Sequence, residues 1–456
     1  MATALLQAEV RPGERSASAA TLSTKLRVPT TASSFVPRPR LVEQLTHGLV
    51  RGVVLVTAPA GFGKTSLLAD WAGNLGRPVG WLSVDDEDNA PARFWGHLVA
   101  AVRQALQRGR SAIGRPIAPI AANGATGVVE TLINEVDSTG RDVVLVVDGY
   151  DQIRDASIGP GMARLLDRRP DGLRLVLAGR AEPELPIARL RATGHLSEIG
   201  AADLRLRDDE VAAVVRAAGL DLADETVRLL AMRTEGWVAG LQLACLALHG
   251  RDRQREPAAA FDARHRFVLD FLAEDVLDRE PPEIRRFLRQ TSILDRVSGD
   301  LANAVTGRSD GQALLERIAR ANLFLVPLDD RRAWWRYHAL FAELLRTRLL
   351  ALEPDEVPRL HRAAARWYAD HGLVDEAIRH RQPRQARVPG TPEIVSEREF
   401  EVLTLVAAGR ANREIADELF ITVDTVKRHV THILAKLGAQ NRTQAAARAR
   451  RFGLLD

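Results

Sequence analysis

The stretch Ala58-Pro59-Ala60-Gly61-Phe62-Gly63-Lys64-Thr65 sets two glycines, a lysine and a threonine at the spacing a bound phosphate requires. In such a loop successive backbone N–H groups and a following helix N-terminus point at an anion, and glycine lets the backbone approach closely. Gly61 and Gly63 supply that approach, Lys64 reaches the β- and γ-phosphates, and the Thr65 hydroxyl ligates Mg2+. Ala58, Pro59, Ala60, Phe62 and Ser66 complete the lining; the pattern has glycine at its first position, where this chain has Ala58. A companion acid ends the apolar run Val143–Val147: Asp148, placed to hold Mg2+ opposite Thr65. Gly149 follows it, so the next acid is Asp151. Hydrolysis needs a group that orients the attacking water. None stands out, so slow turnover or a nucleotide-held switch is expected. Arg180, beyond the run Leu173–Ala178, is placed either to sense a γ-phosphate or to open a surface loop.

A second kind of chemistry lies near the C-terminus. Ser396-Glu397-Arg398-Glu399 reads as a helix-opening capping box. Asn412 caps a second helix carrying Ile415, Ala416 and Leu419, and Thr422 caps a third with Asp424 in its first turn. In the third helix Val426, Val430, Ile433, Leu434 and Leu437 fall within about 100° of one another, a core stripe. Opposite lie Asp424, Thr425, Arg428, Thr431 and His432, with Lys427 on the flank. The N-terminal half of such a helix enters the major groove of double-stranded DNA. Arg428 is placed to meet a base edge; Thr422, Thr425, Lys427 and Thr431 are placed for phosphate or base contacts. His429 and His432 read as packing or phosphate contacts, since no Cys or further His accompanies them as metal ligands.

Positioning these groups takes more than one core. At 456 residues the chain is long for a single domain, and a prior of about 150 residues per domain gives about three. Apolar runs at Val53–Val56, Val79–Val84, Val143–Val147 and Leu173–Ala178 alternate with helical stretches, which predicts a mainly parallel sheet covered on both faces. Residues 203–350 lose the strands and read as helical, and 355–380 as a helix pair broken at His371-Gly372. Three prolines and repeated arginines mark 381–395 as a linker. Residues 1–24, rich in Ala, Ser and Thr, read as a disordered lead without a secretory signal. The net charge of +4 is too small to establish nucleic-acid binding, although Lys64 and Lys427 are two of only four lysines. One cysteine, Cys245, excludes an internal disulfide and fits a reducing, cytoplasmic chain. No apolar run reaches the roughly 18 residues of a membrane span.

Residues 396–456 resemble the DNA-binding domain of LuxR-type regulators through Ser396–Glu399, Asn412-Arg413-Glu414-Ile415-Ala416 and Thr425-Val426-Lys427-Arg428-His429-Val430. The rest resembles the large ATP-binding branch of that family, which includes maltotriose-responsive activation. The residues concerned are Thr24–Pro29, Val36–Leu41, the phosphate loop, Leu185–Arg191, Trp237–Ala244 and Tyr337–Phe341. The resemblance implies an α/β P-loop NTPase domain (25–200), a helical domain (201–265), a winged-helix-like domain (266–352), a helical hairpin (353–380), and a helix-turn-helix domain (396–456). It implies ATP or ADP with Mg2+ as cofactors, with Val36 and Arg38 near the adenine and His338 on a phosphate in the closed form. From the residues alone, His338 is equally a helix-cap histidine. Promoter DNA, RNA polymerase and self-association are the implied partners. Members of the branch carry a long helical-repeat sensor before the DNA module, reduced here to the stretch 353–380. Two other readings stay open: an NTP-hydrolysing enzyme whose last helices dock a partner, and a constitutive DNA binder with a structural nucleotide.

Overall fold

A computed structural model describes residues 22–32, 34–107, 124–248, 266–381, 397–419, 422–436, 439 and 441–451. The expected disordered lead up to residue 21, nearly all of the linker, the Ser396 cap and Leu437 lie outside these residues. The chain divides into two compact units, Met1–Gln382 and Pro383–Asp456.

In the first unit five strands form one parallel sheet in the order β2-β3-β4-β1-β5. They are β1 (Val53–Thr57), β2 (Val79–Ser83), β3 (Val143–Asp148), β4 (Leu173–Gly179) and β5 (Leu196–Ile199). The runs are continuously apolar because both faces are covered. Val54, Val56, Val144, Val146 and Val176 enter one core, while Val53, Leu55, Val143, Leu145 and Leu175 enter the other. The mainly parallel sheet is as the sequence predicts. Strand β5 is the exception. As an edge strand it buries only Leu196 and Ile199 and exposes Glu198, so no apolar run marks it.

Helices Asp208–Ala217, Asp224–Thr234 and Val238–Leu248 follow, around a core that includes Leu206, Val211, Leu241 and the buried Cys245. Next come the helices Pro282–Thr291, Gly299–Thr306 and Gly311–Arg320. The strand-free reading of 203–350 is corrected here. Strands β6 (Leu325–Pro327) and β7 (Trp335–Tyr337) pair antiparallel as a wing before the helix Ala339–Leu352. At three residues each they are too short for a period-two signal. Two further helices, Val357–Asp370 and Val374–Arg381, turn at Gly372.

The second unit holds the helices Glu397–Ala407, Asn412–Glu418, Val423–Lys436 and Arg442–Arg451. Val402, Leu403, Ile415, Val426, Ile433, Ala445 and Ala449 are buried together as their core. The first helix stops at Gly409, whose left-handed φ of 81° lets Arg410 N donate to Leu405 O. Among the described residues no helix is long and apolar enough to cross a membrane.

Candidate functional site

Strands β1, β3 and β4 bring the loop, Asp148 and Arg180 to the carboxyl edge of the sheet. Gly61 and Gly63 are left-handed, with φ of 76° and 77°. Ala58 does not have a positive φ, so the motif's missing first glycine costs nothing conformationally. The helix Lys64–Asn74 starts at the loop's end and directs its first N–H groups back over it. Lys64 Nζ donates to the carbonyls of Ala58 at 2.6 Å and Pro59 at 2.9 Å. Burial pulls this ammonium down to about 8, against the raising effect of Asp151 and Asp148. Thr65 Oγ1 donates to Asp148 Oδ2 at 2.7 Å. Burial pushes the Asp148 carboxyl up, with Thr65 and Lys64 opposing. Ser66 lies half-buried in the first helical turn.

The position after Asp148 favours glycine. Gly149 has φ 83°, and a Cβ there would lie 2.9 Å from Val84 O. An acidic residue here would be strained by that backbone and crowded by the Val84 carbonyl. The second carboxylate near Lys64 is that of Asp151 instead.

The loop is clasped from outside by residues far along the chain. Trp237 Nε1 donates to Ala60 O at 3.0 Å, and Ala239 N donates to Gly61 O at 2.9 Å. A Cβ on Gly61 would sit 2.6 Å from Ala239 Cβ. Phe62, buried, faces Phe324 with ring centroids 6.1 Å apart, and Phe324 meets Trp237 edge-on at 5.2 Å. Sequence reasoning gave Trp237 no role and did not reach Phe324. Trp237 stands in the stretch Trp237–Ala244 that carries the resemblance, but its bond to Ala60 joins residues 177 positions apart, which no local pattern reveals.

Arg38 is buried; its Nη1 donates to Leu204 O at 2.9 Å, and a Cβ on Gly63 would lie 2.9 Å from Nη2. Val36, half-buried, packs on the helical core beside Leu206 and Leu241. Arg180 Nη1 donates to Asp275 O at 3.0 Å and its carbonyl accepts from Asn322 Nδ2 at 2.7 Å, so it joins the sheet edge to the winged-helix half. Asp275 lies in the π-helical stretch Ala273–Leu277. His338 is 1% exposed and begins the helix Ala339–Leu352. Its Nε2 bonds Thr234 O at 3.0 Å, its ring meets Trp237 and Phe324 edge-on, and Nδ1 has no hydrogen-bond partner among the described residues. Burial lowers its pKa, although Glu235 opposes.

In the second unit Thr422 caps its helix by accepting from Thr425 N at 3.2 Å. The second helix differs slightly from expectation: Asn412 is its first residue, and Glu414 reaches back to the amide of Ala411 at 2.7 Å. Val426 and Ile433 are buried, with Val430 and Leu434 packed beside them. Thr422, Lys427, Arg428, Thr431 and His432 are exposed on the same helix and Thr425 half-exposed. The Thr431 hydroxyl is turned onto its own helix, donating to Lys427 O at 3.0 Å. His432 Nδ1 lies 3.8 Å from the buried Glu399 carboxylate.

Comparison with known proteins matches residues 35–178 to an AAA ATPase domain, 273–357 to the MalT winged helix domain, and 393–449 to the bacterial regulatory proteins of the luxR family. The serine/threonine-protein kinase PknK of Mycobacterium tuberculosis (strain ATCC 25618 / H37Rv) is 34% identical over 364 residues, covering 79% of this chain and 33% of PknK. The HTH-type transcriptional regulator MalT of Klebsiella pneumoniae (strain 342) is 34% identical over 365 residues, covering 79% of this chain and 40% of MalT. MalT of Vibrio cholerae serotype O1 (strain ATCC 39315 / El Tor Inaba N16961) is 32% identical over 368 residues, with the same shares of 79% and 40%. The chain therefore spans well under half the length of these relatives. Among solved structures, the Walker-type ATPase PABY2304 of Pyrococcus abyssi aligns with a TM-score of 0.51 at 16% identity, over 70% of this chain and 99% of that one, a likeness of fold. Matches to an AAA ATPase domain, the MalT winged helix domain and the luxR-family regulatory domain thus follow one another along this chain.

Proposed function

We propose that the chain is an ATP-binding, sequence-specific DNA-binding transcriptional regulator, an activator switched by its nucleotide state. The observation that carries this reading is the clasp: Trp237 and Ala239 bond directly to the phosphate loop. Occupancy of the loop and the arrangement of the helical half are thereby tied, on a chain that also carries a DNA-reading module.

In this reading the loop amides from Ala60 to Ser66, the Lys64 ammonium and the helix N-terminus hold the phosphates of ATP or ADP. The Thr65 hydroxyl and Asp148 carboxylate, adjacent hard oxygens, fit Mg2+. Among the described residues no three His, Cys, Asp or Glu side chains could hold a metal by themselves, so the phosphates would complete its coordination. Bound there, Mg2+ neutralises developing phosphate charge. Val36 lines the adenine side and Arg38 fixes its floor through the Leu204 carbonyl. Arg180 answers the γ-phosphate through its attachment to Asp275 and Asn322. With Nε2–H committed to Thr234 O, His338 meets a phosphate only through a protonated Nδ1. Burial disfavours that cation and a facing anion favours it. Turnover is slow, well below the roughly 10 per second of typical enzymes. The partners are promoter DNA, RNA polymerase and further copies of the chain, in the cytoplasm.

The test is the fragment 392–456 beside the intact chain. The fragment is expected to bind duplex DNA with a steep salt dependence, and the intact chain to bind ATP with Mg2+ by calorimetry while hydrolysing it slowly. A folded fragment without salt-dependent DNA binding refutes the regulator reading, and sustained fast hydrolysis favours an enzyme.

A further inference from the structure

Glu235 follows the helix Asp224–Thr234 in a left-handed conformation, φ 48°. Side-chained residues rarely adopt that backbone. Among the described residues only Asn322 (51°), Phe324 (55°) and Arg332 (52°) share it. Glu235, Asn322 and Phe324 all lie where the helical half closes on the loop. Asn322 donates to the Arg180 carbonyl, and Phe324 packs against both Phe62 and Trp237. Such strain persists only where surrounding contacts enforce it.

The contacts at Glu235 run in two directions. Its carboxylate accepts two bonds from the Arg336 guanidinium, both 2.8 Å, and one from Ala339 N at 3.1 Å. Arg336 belongs to β7, and Ala339 starts the helix beyond the wing. In the other direction the chain passes through Gly236 to Trp237 and Ala239, which bond the loop carbonyls of Ala60 and Gly61. Gly236 is itself held tightly, since a Cβ there would lie 2.6 Å from Leu206 O. Burial alone would push the Glu235 carboxyl up, yet Arg336, His338 and the Ala339 amide hold it at about 2, ionised at neutral pH.

We propose that Glu235 is a positioning residue for nucleotide closure: its pairing with Arg336 and the Ala339 amide keeps the Trp237–Ala239 clasp on the phosphate loop, so breaking the pair releases winged helix and nucleotide together. The proposal rests on the nucleotide reading above. It adds the element that sets the release rate of a nucleoside di- or triphosphate. A bidentate arginine–carboxylate pair suits the task because it fixes orientation as well as distance.

The test is stopped-flow release of a fluorescent ADP (mant-ADP, with Mg2+) from the intact chain. Glu235→Gln and Arg336→Met are each expected to speed dissociation about tenfold with association nearly unchanged. The double variant should release little faster than Glu235→Gln alone, since both break the Glu235–Arg336 pair. Arg336→Lys, which keeps the charge but loses the fork, should fall between; it also serves if the stronger variants fail to fold, as far-UV circular dichroism would reveal. Unchanged dissociation in folded variants, or rates that simply add in the double, overturns the proposal while leaving the nucleotide site standing. A wild-type chain that takes up no mant-ADP overturns both. Lys64→Ala distinguishes the two failures further: its loss is of affinity at the phosphates, with or without the latch.

Discussion

The phosphate loop and the recognition helix present their cations in opposite settings. Lys64 is bonded to two loop carbonyls, within a loop whose backbone is fastened to Trp237 and Ala239, far along the chain. Lys427 and Arg428 stand exposed on a helix whose apolar stripe packs into the core of the second unit. A small anion is best held by a site built beforehand and shielded from water, where each charged hydrogen bond is strong. A DNA groove is too large to enclose, so its reader must project side chains from a rigid core. The consequence is a difference in sensitivity. Changes at the loop are expected to propagate through the clasp, and changes on the exposed helix to stay local.

Lys64→Ala should show the largest effect: about a hundredfold loss of ATP affinity, because charge-assisted bonds to two phosphates vanish. Calorimetry checks this, and unchanged affinity removes the phosphate-loop assignment. Arg428→Ala should weaken binding to a cognate duplex roughly ten- to a hundredfold while barely affecting random duplex, as expected for a lost base-edge contact. Lys427→Ala is the contrast, lowering affinity for both duplexes and reducing the salt slope by up to about one unit. Fluorescence anisotropy at several salt concentrations reads both; a loss of specificity at Lys427 would move that side chain to the bases.

The pH dependence should also separate the two sites. The Lys64 ammonium, pulled down to about 8 by burial, regains its proton affinity when phosphates face it. Nucleotide affinity should therefore be full below about pH 8 and fall as pH rises toward the bound-state pKa, by at most about tenfold per unit. Titration between pH 7 and 9.5 measures this, and a flat profile contradicts a buried Lys64 at the phosphates. The smallest effect belongs to Thr431→Ala. With its hydroxyl already donated to Lys427 O, its loss should change DNA affinity by about twofold or less, and a larger change would show that the hydroxyl turns to the DNA.

What could be read in the sequence follows the range of the interactions. The loop, the parallel strands and the stripe Val426–Leu434 are written in neighbouring residues, and they were legible. Ala58 looked like a defect only because a pattern records residue types, whereas the backbone there needs no positive φ. Gly149 looked like a missing acid, and the reason lies in Val84 across the neighbouring strand. Strand β5 and the wing were invisible for want of length and alternation. The clasp was invisible because Trp237, Phe324 and Glu235 act through partners that only the fold brings near.

The claim that joins the two sites is most directly tested by one titration: labelled duplex, selected by the chain from random sequence, against intact protein with no nucleotide, with ADP, and with a non-hydrolysable ATP analogue. At least about a tenfold difference in affinity is expected between the ADP and ATP-analogue states, abolished in Lys64→Ala. Equal affinity in all three states, with nucleotide shown to be bound, would contradict it.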